Sequence, residues 1–202
     1  MLDRAALALL RPALDGLARR LVGLGIRADA ITLAGFALGL AAAAAIALQH
    51  ALLGLWLIAL SRLADGLDGA VARATVPTDR GAFLDIALDF IFYASVPLAF
   101  AWADPTHNAL PAAVLLAAFI GNGTSFLAFS VLAERRGMHS EAYPAKGIYY
   151  LGGLAEGGET LVVFALMCLW PAHFPTLAWA FAALCALSTV ARLVGGARAL
   201  RL

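Results

Sequence analysis

The sequence predicts an all-α, polytopic membrane protein: six transmembrane helices preceded by an N-terminal amphipathic interfacial helix. Three observations carry that prediction. Hydrophobic residues make up 63% of the 202-residue chain and charged ones only 13%, about half the charged share of a soluble domain, which is near 25%. Apolar runs of the ~20 residues needed to cross a bilayer recur along most of the chain. No alternating pattern with polar residues facing a lumen is present, which argues against an outer-membrane barrel.

The elements follow in order. In residues 1–26, Leu7, Leu10, Leu14, Leu17 and Leu21 fall on one helical face, with Arg4, Arg11, Asp15 and Arg19 on the other. This is the pattern of a helix lying in the membrane interface or packed on the protein's own inner surface. Its arginines interrupt any signal-peptide core. Six spans are expected at 29–49, 52–74, 81–103, 108–132, 147–170 and 175–197, and Pro105, Pro111, Pro144, Pro171 and Pro175 fall near their ends, where proline is tolerated best. No linker or repeat divides the chain, so residues 1–202 are read as a single domain.

Orientation is also legible. Arg27, Arg73, Arg80, Arg135, Arg136, Lys146, Arg198 and Arg201 gather on one side, whereas the loops at His50, Asp104–His107 and His173 hold no Lys or Arg. The positive-inside rule then places both termini in the cytoplasm. A net charge of +1 and the lack of a basic arm give no sign of nucleic-acid binding. Cys168 and Cys185 lie in apolar runs and read as small buried side chains, not as a metal or disulfide pair.

One stretch breaks the apolar pattern: "RLADGLDGAVARATVPTDRGAFLDIALD", residues 62–89. Asp65 and Asp68 are three apart near the end of the second span, and Asp85 and Asp89 four apart near the start of the third. Each spacing puts two carboxylates on one helix face. The short connection makes the two helices antiparallel neighbours with the pairs at similar depth. Four such carboxylates cannot all remain ionised in a low dielectric alone. Protonation answers this, and so does a divalent cation, for which hard oxygen donors favour Mg²⁺, Mn²⁺ or Ca²⁺ over zinc. Mg²⁺ commonly shares its shell with substrate phosphates, which suggests a phosphate-bearing substrate. Gly69 and Gly81 allow close approach, Ala72 keeps the face shallow, and Arg73 offers a planar fork for phosphate.

The stretch resembles the signature of the CDP-alcohol phosphotransferase family, D-x-x-D-G-x-x-A-R followed after a short spacer by G-x-x-x-D-x-x-x-D. Asp65, Asp68, Gly69, Ala72, Arg73, Gly81, Asp85 and Asp89 supply its fixed positions, with a seven-residue spacer. The whole chain looks closest to a bacterial inner-membrane branch of that family. The resemblance implies transfer of a phospho-alcohol group, with CDP-diacylglycerol or another CDP-alcohol as donor, to the hydroxyl of a small polar or lipid alcohol, with release of CMP. It implies a two-metal Mg²⁺ or Mn²⁺ centre on Asp65, Asp68, Asp85 and Asp89, with Asp89 as general base. It also implies that Asp68, Gly69, Ala72, Arg73 and Gly81 contact the nucleotide, that the active site is cytoplasmic, and that the protein forms a homodimer among membrane lipids.

Other positions fit two readings. Asp29 and Thr32 in "RADAIT" match the family's entry to the first span, although its proline is missing; Thr32 also suits a cap or turn. Thr78 is a nucleotide contact or a turn residue after Pro77. Glu156 and Glu159, three apart in the fifth span, either face the acceptor or bond to backbone and Lys146. Arg135, Arg136 and Lys146 either face the acceptor or meet solvent and lipid phosphate. Asn122, Thr124 and Ser125 suit helix joining better than cavity lining, and Tyr149 and Tyr150 suit interfacial anchoring. The rival to the enzyme is a membrane cation or metabolite transporter with the aspartates as its ion site. Against it stand the absence of related halves and the clustering of all four aspartates on one side of the membrane.

Overall fold

The computed structural model describes residues 2–137 and 155–201, with side chains from residue 11 onward. Among these residues there are helices and turns but no strands. Helix α1 spans Leu2–Gly23, α2 Ala28–Ala47, α3 Ala51–Ala74, α4 Asp79–Ala103 and α5 Pro105–Arg135. Helix α6 spans Gly157–Leu169, and a short 3-10 turn, Pro171–His173, leads into α7, Phe174–Ala199.

Four of the helices, α2, α4, α5 and α7 with its leading turn, are long and apolar enough to cross a membrane. Helix α3 is equally long, but its second half carries Arg62, Asp65, Asp68 and Arg73. Helix α6 is apolar but has 13 residues, a rise of about 20 Å against the ~30 Å of a hydrocarbon core. The earlier part of its expected span, with Tyr149 and Tyr150, and the preceding Pro144 and Lys146 lie outside the described residues. Helix α5 starts at Pro105, so Pro111 sits inside it instead of near its beginning.

The turns have local causes. Between α2 and α3, Gln49 adopts φ +66°, and its amide donates to the Ala103 carbonyl oxygen at 3.2 Å. Thr78 caps α4 by accepting from the Gly81 N–H at 3.1 Å; its geometry is that of the turn reading. Asp104 caps α5 by accepting from the His107 N–H at 3.2 Å, with Pro105 next, where proline suits a first turn.

Aromatic residues fill the core: Phe92 lies against Phe164 and Tyr93, and Phe100 stacks on Phe174 at 4.6 Å between ring centroids. Cys168 and Cys185 are free and buried, as expected. Outside, Trp56, Trp102, Trp170 and many leucines are exposed, a surface suited to lipid and not to water. Helix α1 is seated on the bundle, with Ala18, Leu14, Leu21 and Val22 packed against Ile31, Ala70 and Val71. Arg11, Arg19 and Arg20 stay exposed. The reading of α1 as packed on the protein's own surface therefore holds.

One expectation needs correction. Helices α3 and α4 are consecutive and joined by a short turn, yet they do not pack closely along their lengths. Helix α2 packs against both. Gly35 of α2 faces Ala64 and the Ser61 carbonyl, while Gly39 faces Phe92 and the Ser61 hydroxyl. Small residues let α2 come close to both partners. The gap left between α3 and α4 is where the carboxylates gather.

Candidate active site

The gap is a cavity lined by Thr32, Gly35 and Phe36 of α2, Ser61, Arg62, Asp65 and Asp68 of α3, and Asp85, Leu88 and Asp89 of α4. All four aspartates of the motif therefore open onto one space. Carboxylate oxygens from Asp65, Asp68 and Asp85 lie within 4.8 Å of one another, close enough to converge on one cation. Asp68 is 6% exposed, and its Oδ2 is buried without a hydrogen-bond partner. An orphaned buried carboxylate oxygen is costly unless a cation attends it. A hard divalent ion fits this donor set.

Asp89 stands apart from that trio. Its Oδ1 accepts from Arg62 Nη1 at 2.7 Å, and the same nitrogen is 3.6 Å from Asp65 Oδ1. Arg62 also donates through Nη2 to Ser61 Oγ at 3.2 Å, and its guanidinium carbon is 4.2 Å from the centre of the Phe92 ring. Ser61 in turn donates to the Gly35 carbonyl oxygen at 2.8 Å.

Of the residues expected at the nucleotide side, Thr32 and Asp68 line the cavity, whereas Asp29, Gly69, Ala72, Arg73, Thr78 and Gly81 are not among its described lining residues. Asp29 Oδ2 is 3.6 Å from Arg80 Nε. A side-chain carbon at Gly81 would meet Thr78 Oγ1 at 3.2 Å and Asp29 Oδ1 at 3.5 Å, so these three positions adjoin. Thr32 lines the cavity while its hydroxyl donates to the Ala28 carbonyl oxygen at 3.1 Å. Gly69 lies beneath the Arg73 guanidinium. Arg73, half exposed, reaches Asp15 of α1 at 4.0 Å.

The acceptor-side candidates are less concentrated. Glu156 is the extended residue before α6, and its carbonyl receives the Thr160 hydroxyl at 2.8 Å. Only Glu159 lies within the helix, so a shared helix face does not hold for the pair. Arg135 is exposed in the last turn of α5, and Lys146 is outside the described residues. Neither glutamate nor Arg135 is among the described residues that line the cavity.

Asn122 and Ser125 join helices, as their residue types suggested. Asn122 donates to the Ala155 carbonyl at 3.2 Å, and its Oδ1 accepts from Arg192 Nη1 at 2.7 Å; Ser125 lies 3.4 Å from the same nitrogen. Thr124 is exposed and bonds within its own helix. Sequence reasoning missed Arg62, which is partly buried, and Arg192, which is buried. The signal for Arg62 was present, since it lies one turn before Asp65 in the same stretch.

Comparison with known proteins agrees with this architecture. The Escherichia coli (strain K12) protein named inner membrane protein YnjF is 49% identical over 196 residues, covering 97% of this chain and 95% of that one. An archaetidylinositol phosphate synthase from Pyrococcus horikoshii is 36% identical over 84 residues, covering 41% of this chain and 45% of its own. Among solved structures, Mycobacterium tuberculosis phosphatidylinositol phosphate synthase with CDP-DAG bound superimposes with a TM-score of 0.74 at 22% identity, over 91% of this chain and 92% of that one. The same enzyme in complex with manganese and citrate gives 0.67 at 24% identity, over 91% and 88%; at such identities the likeness is one of fold. The CDP-alcohol phosphatidyltransferase profile matches residues 26–191, the segment that contains every cavity-lining residue, and the chain belongs to that family.

Proposed function

We propose that this protein transfers a phosphatidyl group from CDP-diacylglycerol to an acceptor hydroxyl, releasing CMP, in phospholipid biosynthesis. The observation that carries the reading is the convergence of Asp65, Asp68, Asp85 and Asp89 on one cavity between α3 and α4. Family membership supports the reaction class, and the solved relative with CDP-DAG bound supports the donor. An ion-site transporter gives way to that membership.

Asp65, Asp68 and Asp85 would hold a divalent ion, with Asp89 beside them for a second. The manganese complex of the relative supports Mn²⁺ as well as Mg²⁺. Such ions, when bound, would neutralise charge on the departing CMP phosphate. Asp89 takes the proton of the acceptor hydroxyl as its oxygen bonds to the phosphatidyl phosphorus. The phosphorus–oxygen bond to CMP breaks, and its electron pair leaves with CMP. Asp29, Thr32, Gly69, Ala72, Arg73, Thr78 and Gly81 border the nucleotide. Glu156, Glu159, Lys146 and Arg135 are the acceptor-side candidates, and relatives named for archaetidylinositol phosphate support a polyhydroxyl acceptor.

The full topology belongs to the same proposal. Helix α3, and α6 together with the residues before it, complete six spans in one domain. The protein lies in the bacterial inner membrane, as its Escherichia coli relative is named. The arginine distribution supports cytoplasmic termini and a cytoplasmic active site. The family resemblance supports a homodimer.

The test is direct. Purified protein, CDP-diacylglycerol, Mg²⁺ or Mn²⁺ and a panel of alcohols are incubated, and CMP is measured. Release with at least one acceptor is expected; binding of nucleotide without release for any of them overturns the catalytic reading. Asp89→Asn is expected to slow release by about 10²–10⁴-fold, the usual worth of a positioned base, while nucleotide binding persists. Unchanged turnover removes Asp89 as the base.

A further inference from the structure

Arg62 is held in the cavity through both terminal nitrogens, while its buried Nε has no hydrogen-bond partner. Its side chain is 15% exposed; Asp89 lies at 2.7 Å and Asp65 at 3.6 Å from Nη1, Ser61 at 3.2 Å from Nη2, and the Phe92 ring beneath. Ser61 is itself anchored to α2 through the Gly35 carbonyl. A guanidinium keeps its proton under all ordinary conditions. Arg62 is therefore a permanent positive charge inside the carboxylate cluster, and not a mobile surface ion pair.

Its position is uneven with respect to the four aspartates. Oxygens of Asp65, Asp68 and Asp85 come within 4.8 Å of one another, whereas Asp89 is held by the guanidinium. A cation sharing Asp89 would stand close to Arg62, and like charges at such range repel strongly even at an intermediate dielectric. A cation on the other three meets three carboxylates and shares with Arg62 the Asp65 carboxylate, whose Oδ1 is 3.6 Å from Nη1.

We propose that Arg62 is a positioning residue that divides the carboxylates. It holds Asp89 in place and leaves Asp65, Asp68 and Asp85 to take a single divalent cation in the nucleotide-free protein. A second cation enters only with nucleotide, whose phosphates add the negative charge that offsets Arg62. This rests on the metal-site reading of the cavity given above.

The experiment counts Mn²⁺ bound to the purified full chain by electron paramagnetic resonance and calorimetry, with and without CDP-diacylglycerol. The wild type is expected to bind one Mn²⁺ alone and two with nucleotide. Arg62→Gln is expected to bind two without nucleotide, the second at least about tenfold more tightly than in the wild type, given the Coulomb energy of a unit charge at this range. Arg62→Lys keeps the charge and is expected to stay at one. Mn²⁺ is also expected to raise the unfolding midpoint of Arg62→Gln more than that of the wild type, which a purely structural role does not produce.

Two equal sites in the nucleotide-free wild type, or a single site in Arg62→Gln, overturn the proposal while leaving the metal reading intact. An equal loss of midpoint with and without Mn²⁺ also overturns it. Mn²⁺ retained by none of the proteins overturns the metal reading and this proposal with it. The wild-type comparison needs no variant, so it decides the matter even where Arg62→Gln does not fold.

Discussion

Asp68 and Arg73 come from the same nine-residue stretch, yet the fold treats them differently. Asp68 is buried with one oxygen unpartnered, while Arg73 is half exposed and 4.0 Å from Asp15. A buried carboxylate oxygen without a donor exerts a strong pull on a cation, and an exposed ion pair contributes little. Asp68→Asn is therefore expected to weaken Mn²⁺ binding by at least the ~10-fold that loss of even an outer partner costs a metal site. The metal-free protein should lose no stability, because a buried charge has been removed. Mn²⁺ titration and thermal unfolding of the same preparation check both. The carboxylates were legible at this scale because their spacing alone puts each pair on one helix face. Arg62 was not, since a sequence shows which face a cation occupies but not which carboxylate it meets.

Helix ends give the next scale. Asp104 caps α5 and accepts from both the His107 ring, at 2.8 Å, and the His107 N–H. The ring's hydrogen bond, with the backbone one next, holds the Asp104 carboxyl below its ordinary value of 3.8. A depressed carboxylate contributes stability that is complete above the unfolded-state value and is lost as pH falls through the folded one. The unfolding midpoint of the wild type should therefore decline below pH ~4 more steeply than that of Asp104→Asn, which keeps a capping oxygen without titrating. Parallel curves for the two proteins would remove this cap from the acid sensitivity. Pro77, Pro105 and Pro171 mark element boundaries, whereas Pro111 is tolerated within the second turn of α5. The spacing of Glu156 and Glu159 suggested a shared face, but the helix begins only after Glu156. Periodicity does not by itself locate a helix end.

At the scale of the molecule, the site depends on the approach of α2. A side-chain carbon at Gly39 would lie 2.6 Å from Phe92 Cδ2, and Phe92 is the ring on which Arg62 rests. Gly39→Val is therefore expected to push Phe92 aside, lowering the unfolding midpoint and reducing CMP release together. Overpacking of this kind costs about 1–3 kcal/mol. Gly16 has open space around it, so Gly16→Ala serves as the control and is expected to leave activity unchanged. Loss of activity in Gly39→Val with an unaltered midpoint would point to a direct role for Gly39 in place of a packing one.

The amino-acid sequence alone was enough for the helical membrane class, the gathering of acidic residues and the family they resemble. Composition and motif spacing are properties of the chain that no folding rearranges. Tertiary structure alone decided that α2, and not direct packing of α3 on α4, brings the carboxylates together. It decided too that Arg62 sits among them and that α1 rests on α3. Each of these depends on which helices approach, and that is settled by small residues such as Gly35 and Gly39 meeting a particular partner. The physical reason is that periodicity defines a face of one helix, whereas a site is made where faces of several helices meet.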